Sequence, residues 1–435
     1  MRFRTGPVVL AMALIAALAA CDSSPAKKPA DAAAPSSTQA SGEHAGHQGG
    51  AAAAPAASPA KPKELAAALE QYFAVHTLLA VRQARSVLTD NRAYRQAADH
   101  ELEEYTEELS ELVAGTYGDA QGNRFKEVWE QTTADAAAYT RAVAAKDDAA
   151  TDKARQALLA DAGAYGDWLA GASDGRSAAG DAAAQLKTHV QQLMDHADAY
   201  AAQDYERAYR VERDAYEHMF AAGTALARAG VAPKAAAALD TPVKKLRAAF
   251  AMLLGEHMQL IIDAQRATFA GAPEFKAAAA QVNANTEALT KGMGAIVGPK
   301  KAEEFQSAWA EHVEGLLDYS TAVASNDEAE KALVREKMRG YGARLALYLS
   351  DIVRNELPLE PITEALGEHD QDLVDQVNAY AAKRFDEAQE MEVQGYGQML
   401  GVANTLVGAI QRTVKLQLPV GGSQTGGGGT ATWRR

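Results

Sequence analysis

From about residue 64 to residue 415, apolar side chains return every three or four positions, the spacing of one face of an α-helix and not the strict alternation of a strand. Alanine and leucine dominate, β-branched runs are few, and the pattern breaks at Asp, Asn, Gly and Pro. In the second half, helices are expected after Asp240-Thr241-Pro242, Gly271-Ala272-Pro273, Gly298-Pro299, Asn326-Asp327, Glu360-Pro361 and Lys383. Proline in a first turn loses no hydrogen bond, since that amide has no partner inside the helix. The expected fold is all-α. The string Gly171-Ala172-Ser173-Asp174-Gly175 has the Gly-x-Ser-x-Gly form of a nucleophile elbow, but it falls in a helix connection with no strand before it, so it carries no such role.

The pattern is written twice. Phe125-x-x-x-Trp129 returns as Phe305-x-x-x-Trp309, Tyr139-Thr140-Arg141-Ala142-Val143 as Tyr319-Ser320-Thr321-Ala322-Val323, and Glu212-x-x-x-Tyr216 as Glu392-x-x-x-Tyr396, each shifted by 180 positions. The reading is two tandem repeats of antiparallel helical hairpins forming helical bundles, over residues 64–232 and 240–415, with three hairpins in each.

Gly-Glu-His occurs at Gly255-Glu256-His257 and again at Gly367-Glu368-His369, and His-x-Gln-x-x-x-Asp runs three times, from His189, His257 and His369. Around His257, Phe250, Leu254, Ile261 and Ala264 share its helical face; around His312 the set is Phe305, Trp309, Leu316 and Tyr319. Each histidine therefore sits in an apolar stripe and is expected to face inward, with the Gln and Asp of the string on the opposite face, solvated or bonded to a neighbouring helix. His257, His312 and His369 also share a depth, each about fourteen residues, or roughly 21 Å, before the turn that ends its helix. Asn285, Gln398 and Met399 stand about as far after the preceding turn on returning helices, so antiparallel packing predicts one layer. The first copy offers His76, His189, His218 and Met219, with Thr132 in place of the second histidine and His218 in the place of Gln398.

A polar group buried without a partner costs on the order of 1–3 kcal/mol, so a layer of imidazoles needs something to satisfy it. Helical bundles build metal sites from inward side chains in this way. Histidine with methionine and without cysteine suits copper, above all the cuprous ion. The expected ligands are His257, His312, His369 and Met399, with His76, His189, His218 and Met219 in the first copy; Asn285, Gln398, Glu212 and Glu392 are expected to support them from behind. Non-covalent haem held by two histidines stays open as an alternative, as does a spacer or protein-interaction module whose polar layer only fixes helix register. Cys-x-x-Cys-His and Glu-x-x-His are absent, which excludes c-type haem and the di-iron carboxylate pattern. No phosphate loop, metalloprotease helix or nucleophile with its base is present either, so the chain is not expected to be an enzyme.

The ends set the address. Arg2 and Arg4, the apolar run from Val8 to Ala20 and then Leu18-Ala19-Ala20-Cys21 resemble a bacterial lipoprotein signal, so residues 1–21 are expected to end in a lipidated Cys21, the single cysteine of the chain. Residues 22–63 lack large apolar side chains and read as a disordered linker, with Glu43-His44-Ala45-Gly46-His47 taken as a polar stretch; residues 416–435 read as a Gly-rich disordered tail. Removing residues 1–20 takes the net charge from −14 to −16, since Arg2 and Arg4 leave and no acid does. That balance argues against nucleic acid as a partner. The expected partners are the membrane, through the lipid, a metal ion, and an unspecified envelope protein, at an extracytoplasmic location.

The strings "LLGEHMQLIIDAQ", "NTEALT", "FQSAWAEHVEGLLDYSTAVA" and "HVQQLMDHADAYAAQDYERAYRVERDAYEHMF" resemble exported two-repeat helical proteins of bacteria often labelled copper amine oxidase-like, over nearly all of residues 65–415. The resemblance implies four recurrent histidines per copy, which here map to His257, His312 and His369 and to His76, His189 and His218; Gln398 and Thr132 each depart from it. It does not carry the oxidase chemistry, whose quinone forms from a tyrosine after asparagine, because the chain has no Asn-Tyr pair.

Overall fold

The structure, a computed structural model, describes residues 61–414. The anticipated signal peptide with Cys21, the linker up to residue 60 with His44 and His47, and the tail lie outside the described residues. Twelve long helices follow one another: α1 (Pro62–Leu88), α2 (Arg92–Tyr117), α3 (Asp119–Ala145), α4 (Asp148–Ala172), α5 (Ala179–Ala201), α6 (Tyr205–Gly230), α7 (Pro242–Ala270), α8 (Phe275–Val297), α9 (Pro299–Ser325), α10 (Glu328–Ile352), α11 (Leu359–Ala381) and α12 (Phe385–Val414). A one-turn helix (Pro233–Ala236) and a 3₁₀ turn (Ala237–Asp240) join α6 to α7, and no strand occurs among the described residues. The protein is all-α, as the periodicity implies. Because α1 starts at Pro62, the last residues of the expected linker are helix.

The starts follow local chemistry. Thr241, Asp147, Asp204 and Asp327 each accept a hydrogen bond from a backbone N–H of the first turn, which satisfies a donor the helix leaves orphaned. Pro242 and Pro299 occupy first-turn positions. The bounds of α3, α4 and α5 recur at α9, α10 and α11 with a shift of 180. The α1 and α7 helices are offset by one more, so that His76 corresponds to His257.

In the first half α1 is central and touches α2, α3, α5 and α6, while α4 lies outside, between α3 and α5; in the second, α7 touches α8, α9, α11 and α12, with α10 outside, between α9 and α11. The central position explains why α7 is buried almost continuously from Ala249 to Ala267. Gly223 of α6 lets that helix meet α1 closely: a Cβ there would stand 2.5 Å from Glu70 N and Leu69 O.

The halves pack where α2 meets α12 and α6 meets α8, and between these contacts α1 and α7 face each other through ionised side chains. Arg82 binds Asp263 and places Nε 3.1 Å from Glu392; Arg85 binds Glu212 and reaches Asp263 at 2.9 Å; Arg266 reaches Glu392 at 2.8 Å. Arg82 is 1% exposed and Glu392 is 1% exposed, so these charges have one another and a few polar side chains, such as Tyr94, which accepts from Arg266 at 2.6 Å, to replace water. Beside them the hydroxyls of Tyr216 and Tyr396, residues 180 apart, are 2.8 Å from each other. The string's Gln259 and Asp263 belong to this junction, with Arg82 donating to Gln259 at 3.0 Å, whereas Gln191 and Asp195 of the first-half copy are exposed.

Candidate metal centre

His257 comes from the central helix α7, His312 from α9 and His369 from α11. These three helices are mutual neighbours, so residues of one depth on their facing stripes must converge. They do: one ring nitrogen from each lies within 4.8 Å of the others, and the ring centroids are 5.6, 5.7 and 6.2 Å apart. His257 is 0% exposed, His369 3% and His312 6%. Both ring nitrogens of His257 and of His369 have no hydrogen-bond partner. Trp309, whose ring centroid is 4.5 Å from that of His257, also leaves its indole N–H unpartnered.

Burial, and then the neighbouring imidazoles, holds His257 well below the usual histidine range. Burial pushes His369 down to about 4, helped by His312 and opposed by Asp370. Neutral rings with free lone pairs are what a metal ion requires. His312 has its Nδ1 3.1 Å from an oxygen of Asp370; with the proton on Nδ1 the ring donates to the carboxylate and keeps Nε2 as its donor atom. Bonds of about 2.0–2.1 Å place ligand nitrogens roughly 3.4 Å apart, so closing on an ion asks the rings to draw together by about an ångström.

A cavity of about 30 Å³ adjoins His312 and His369, and Met399 and Met293 line it among leucines and Phe250. Met399, 2% exposed, therefore stands beside two of the histidines as expected. Gln398 does not. It is exposed and its side chain bonds Asp372, because one residue along a helix turns the side chain by about 100°. Asn285 is buried but gives its amide to Leu253 O at 2.9 Å and to Glu256 at 2.7 Å, so it braces the α7 backbone one turn before His257 and hydrogen-bonds no imidazole. Glu212 and Glu392 belong to the arginine junction and support no histidine.

The first half brings fewer groups together. His76 and His189 have ring centroids 6.0 Å apart, close to the 6.2 Å of His257 and His369, but Trp129 donates to His76 Nδ1 at 3.2 Å and Thr132 spends its hydroxyl on Val128 O. Burial lowers His76 to about 3 and holds His189, whose two nitrogens lack partners, far down as well. His218 is half-buried and bonded through Nε2 to Gln185 O at 2.9 Å, and Met219 packs in the apolar core. Among the described residues, only His257, His312 and His369 group as three side chains that could share an ion.

Asp370 is the site residue that sequence reasoning overlooked. Its signal was a carboxylate beside His369 in the chain, but the ring that it serves lies on another helix. Comparison of the chain with protein-family models, curated proteins and solved structures finds no match.

Proposed function

We propose that the protein is a metal-binding helical lipoprotein of the cell envelope that holds one copper ion between His257, His312 and His369 for storage, delivery or tolerance, with Met399 near enough to offer a thioether and Cys21 carrying the membrane anchor. The observation that carries this reading is the convergence of three buried imidazoles on which four nitrogens have no partner in the fold. A single ion takes one nitrogen from each of the three rings at once. Three neutral nitrogens and a thioether form a donor set that favours cuprous ion over the hard cations, and the absence of carboxylate ligands points away from magnesium and calcium. Haem is a poorer occupant, since a cavity of about 30 Å³ leaves no slot for a macrocycle.

The test is equilibrium loading of the purified chain with cuprous ion and with zinc. One tightly held copper per chain is expected, lost in the His257→Ala, His312→Ala double variant. A chain that binds neither ion defeats the reading and leaves the spacer. The anchor is tested separately, since Cys21→Ser is expected to move the protein from the membrane to the soluble fraction.

A further inference from the structure

The half that carries the triad differs from the other half on one flank in three linked ways. Val190 stands in the first half where Asp370 stands in the second, and Thr132 where His312 stands, so the third histidine and the carboxylate that holds it occur together. The α4 and α5 helices close upon each other at Gly166, where a Cβ would meet Ala183 Cβ at 2.8 Å and the Ala179 carbonyl closer still. The counterparts of Gly166 and Ala183 are Ala346 and Thr363, larger at both positions, and α10 packs along less of α11 than α4 does of α5. What remains between α10 and α11 is a surface cleft of about 360 Å³ lined by Met338, Gly342, Thr363, Gly367, Asp370 and Gln371, among others.

Asp370 thus lines the cleft while its other side reaches His312 Nδ1 at 3.1 Å. We propose that this cleft is the port through which a first-row cation reaches the triad, and that Asp370 draws the cation in before the three imidazoles close on it. The proposal rests on the metal-binding reading above. The carboxylate attracts any cation by its charge, and imidazole nitrogen then holds a copper ion more firmly than carboxylate oxygen does. The cavity on the other flank of the triad is walled by Leu345, Leu349, Leu366 and Leu406 and offers no oxygen. The arginines at the rim of the cleft are engaged elsewhere: Arg339 pairs with Glu336, and Arg335 lies over the Tyr319 ring and donates to its hydroxyl. Waters of the ion are exchanged for ligands in this step, and no electron is transferred.

The experiment is stopped-flow uptake of cuprous ion, without oxygen, followed by tryptophan fluorescence, and release into excess chelator. Gly342→Leu fills the cleft over Asp370, because a Cβ at Gly342 lies 3.8 Å from Asp370 Oδ2; Gly367→Leu fills it from the other wall, where a Cβ meets nothing within 4 Å. Each is expected to bind one ion and to slow uptake and release at least tenfold, while Gly340→Leu, at an exposed position of α10, keeps wild-type rates. Asp370→Asn is expected to slow uptake with the stoichiometry unchanged. Wild-type rates in both plugged chains, or folded plugged chains that no longer bind copper, overturn the port. A wild-type chain that binds no copper overturns the metal reading itself.

Discussion

If His257 is kept for an ion, removing it should make the empty protein more stable. The ring is 0% exposed and neither nitrogen has a partner. A neutral imidazole carries one donor and one acceptor, and each buried group left unpaired costs about 1–3 kcal/mol. Leucine has a similar volume and no such group, and its misfit in shape costs less than about 1.5 kcal/mol. His257→Leu is therefore expected to stabilise the metal-free chain by roughly 0.5–6 kcal/mol, the cost of two unpaired groups less the misfit. Copper at a hundred times its dissociation constant adds about 2.7 kcal/mol to the wild type and nothing to the variant, so the gap between the two chains shifts by that amount toward the wild type when metal is supplied. For a chain of roughly 350 folded residues each kcal/mol moves the melt by only about 1.3 °C, so paired melts in chelator and in copper must be read to better than a degree. A metal-free variant several kcal/mol weaker than the wild type would mean that the ring is a contented part of the core. The same gap in both buffers would remove the ion.

Three further outcomes are expected. Thr132→His restores the missing ring beside His76 and His189 and should raise copper capacity from one ion to two, the new site binding some 10–100-fold more weakly because Val190 supplies no carboxylate; unchanged capacity by metal analysis counts against the equivalence of the halves. Glu392→Leu strips Arg82 and Arg266 of a shared partner and should cost about 3–5 kcal/mol in urea unfolding, whereas a loss below 1 kcal/mol would mean that water already screens the junction. His196 is pushed down to about 3, chiefly by burial and then by Arg85, while in the unfolded chain it titrates near 6.5. Unfolding therefore takes up a proton between those values, and stability falls as the pH drops through that window, by up to about 1.4 kcal/mol per pH unit. His196→Asn should flatten the acid limb of the stability curve in chelator, and curves parallel to the wild type would refute this.

Depth along a helix proved readable from the chain, and azimuth only in part. The breaks at Gly271, Asn326 and Lys383 located the turns, and counting back from them placed His257, His312 and His369 in one layer, where the structure has them. The same count put Gln398 and Met399 together, yet adjacent residues face about 100° apart, and only the methionine looks into the cavity. His218 and Met219 repeat that outcome. Glu212 and Glu392 read as site residues because they recur at a shift of 180. Their partners, Arg82, Arg85 and Arg266, lie 126 to 310 positions away in the chain, a pairing that no local pattern encodes. The cleft beside Asp370 was hidden for a similar reason: Gly166 against Ala346 is a difference of one methyl group, and its effect is felt only where two helices touch.

The junction between α1 and α7 decides which halves are able to mate. Its ionised pairs draw Arg82, Arg85, Arg213, Glu70 and Glu212 from the first half, leaving one surplus positive charge, and Lys244, Arg266, Glu256, Asp263 and Glu392 from the second, leaving one surplus negative charge. Two copies of either half, joined in the same manner, would trap two like charges away from water. Unlike halves cancel, so the joined chain is neutral along its seam, and neither six-helix piece finds in its own twin the complement that it finds in its neighbour.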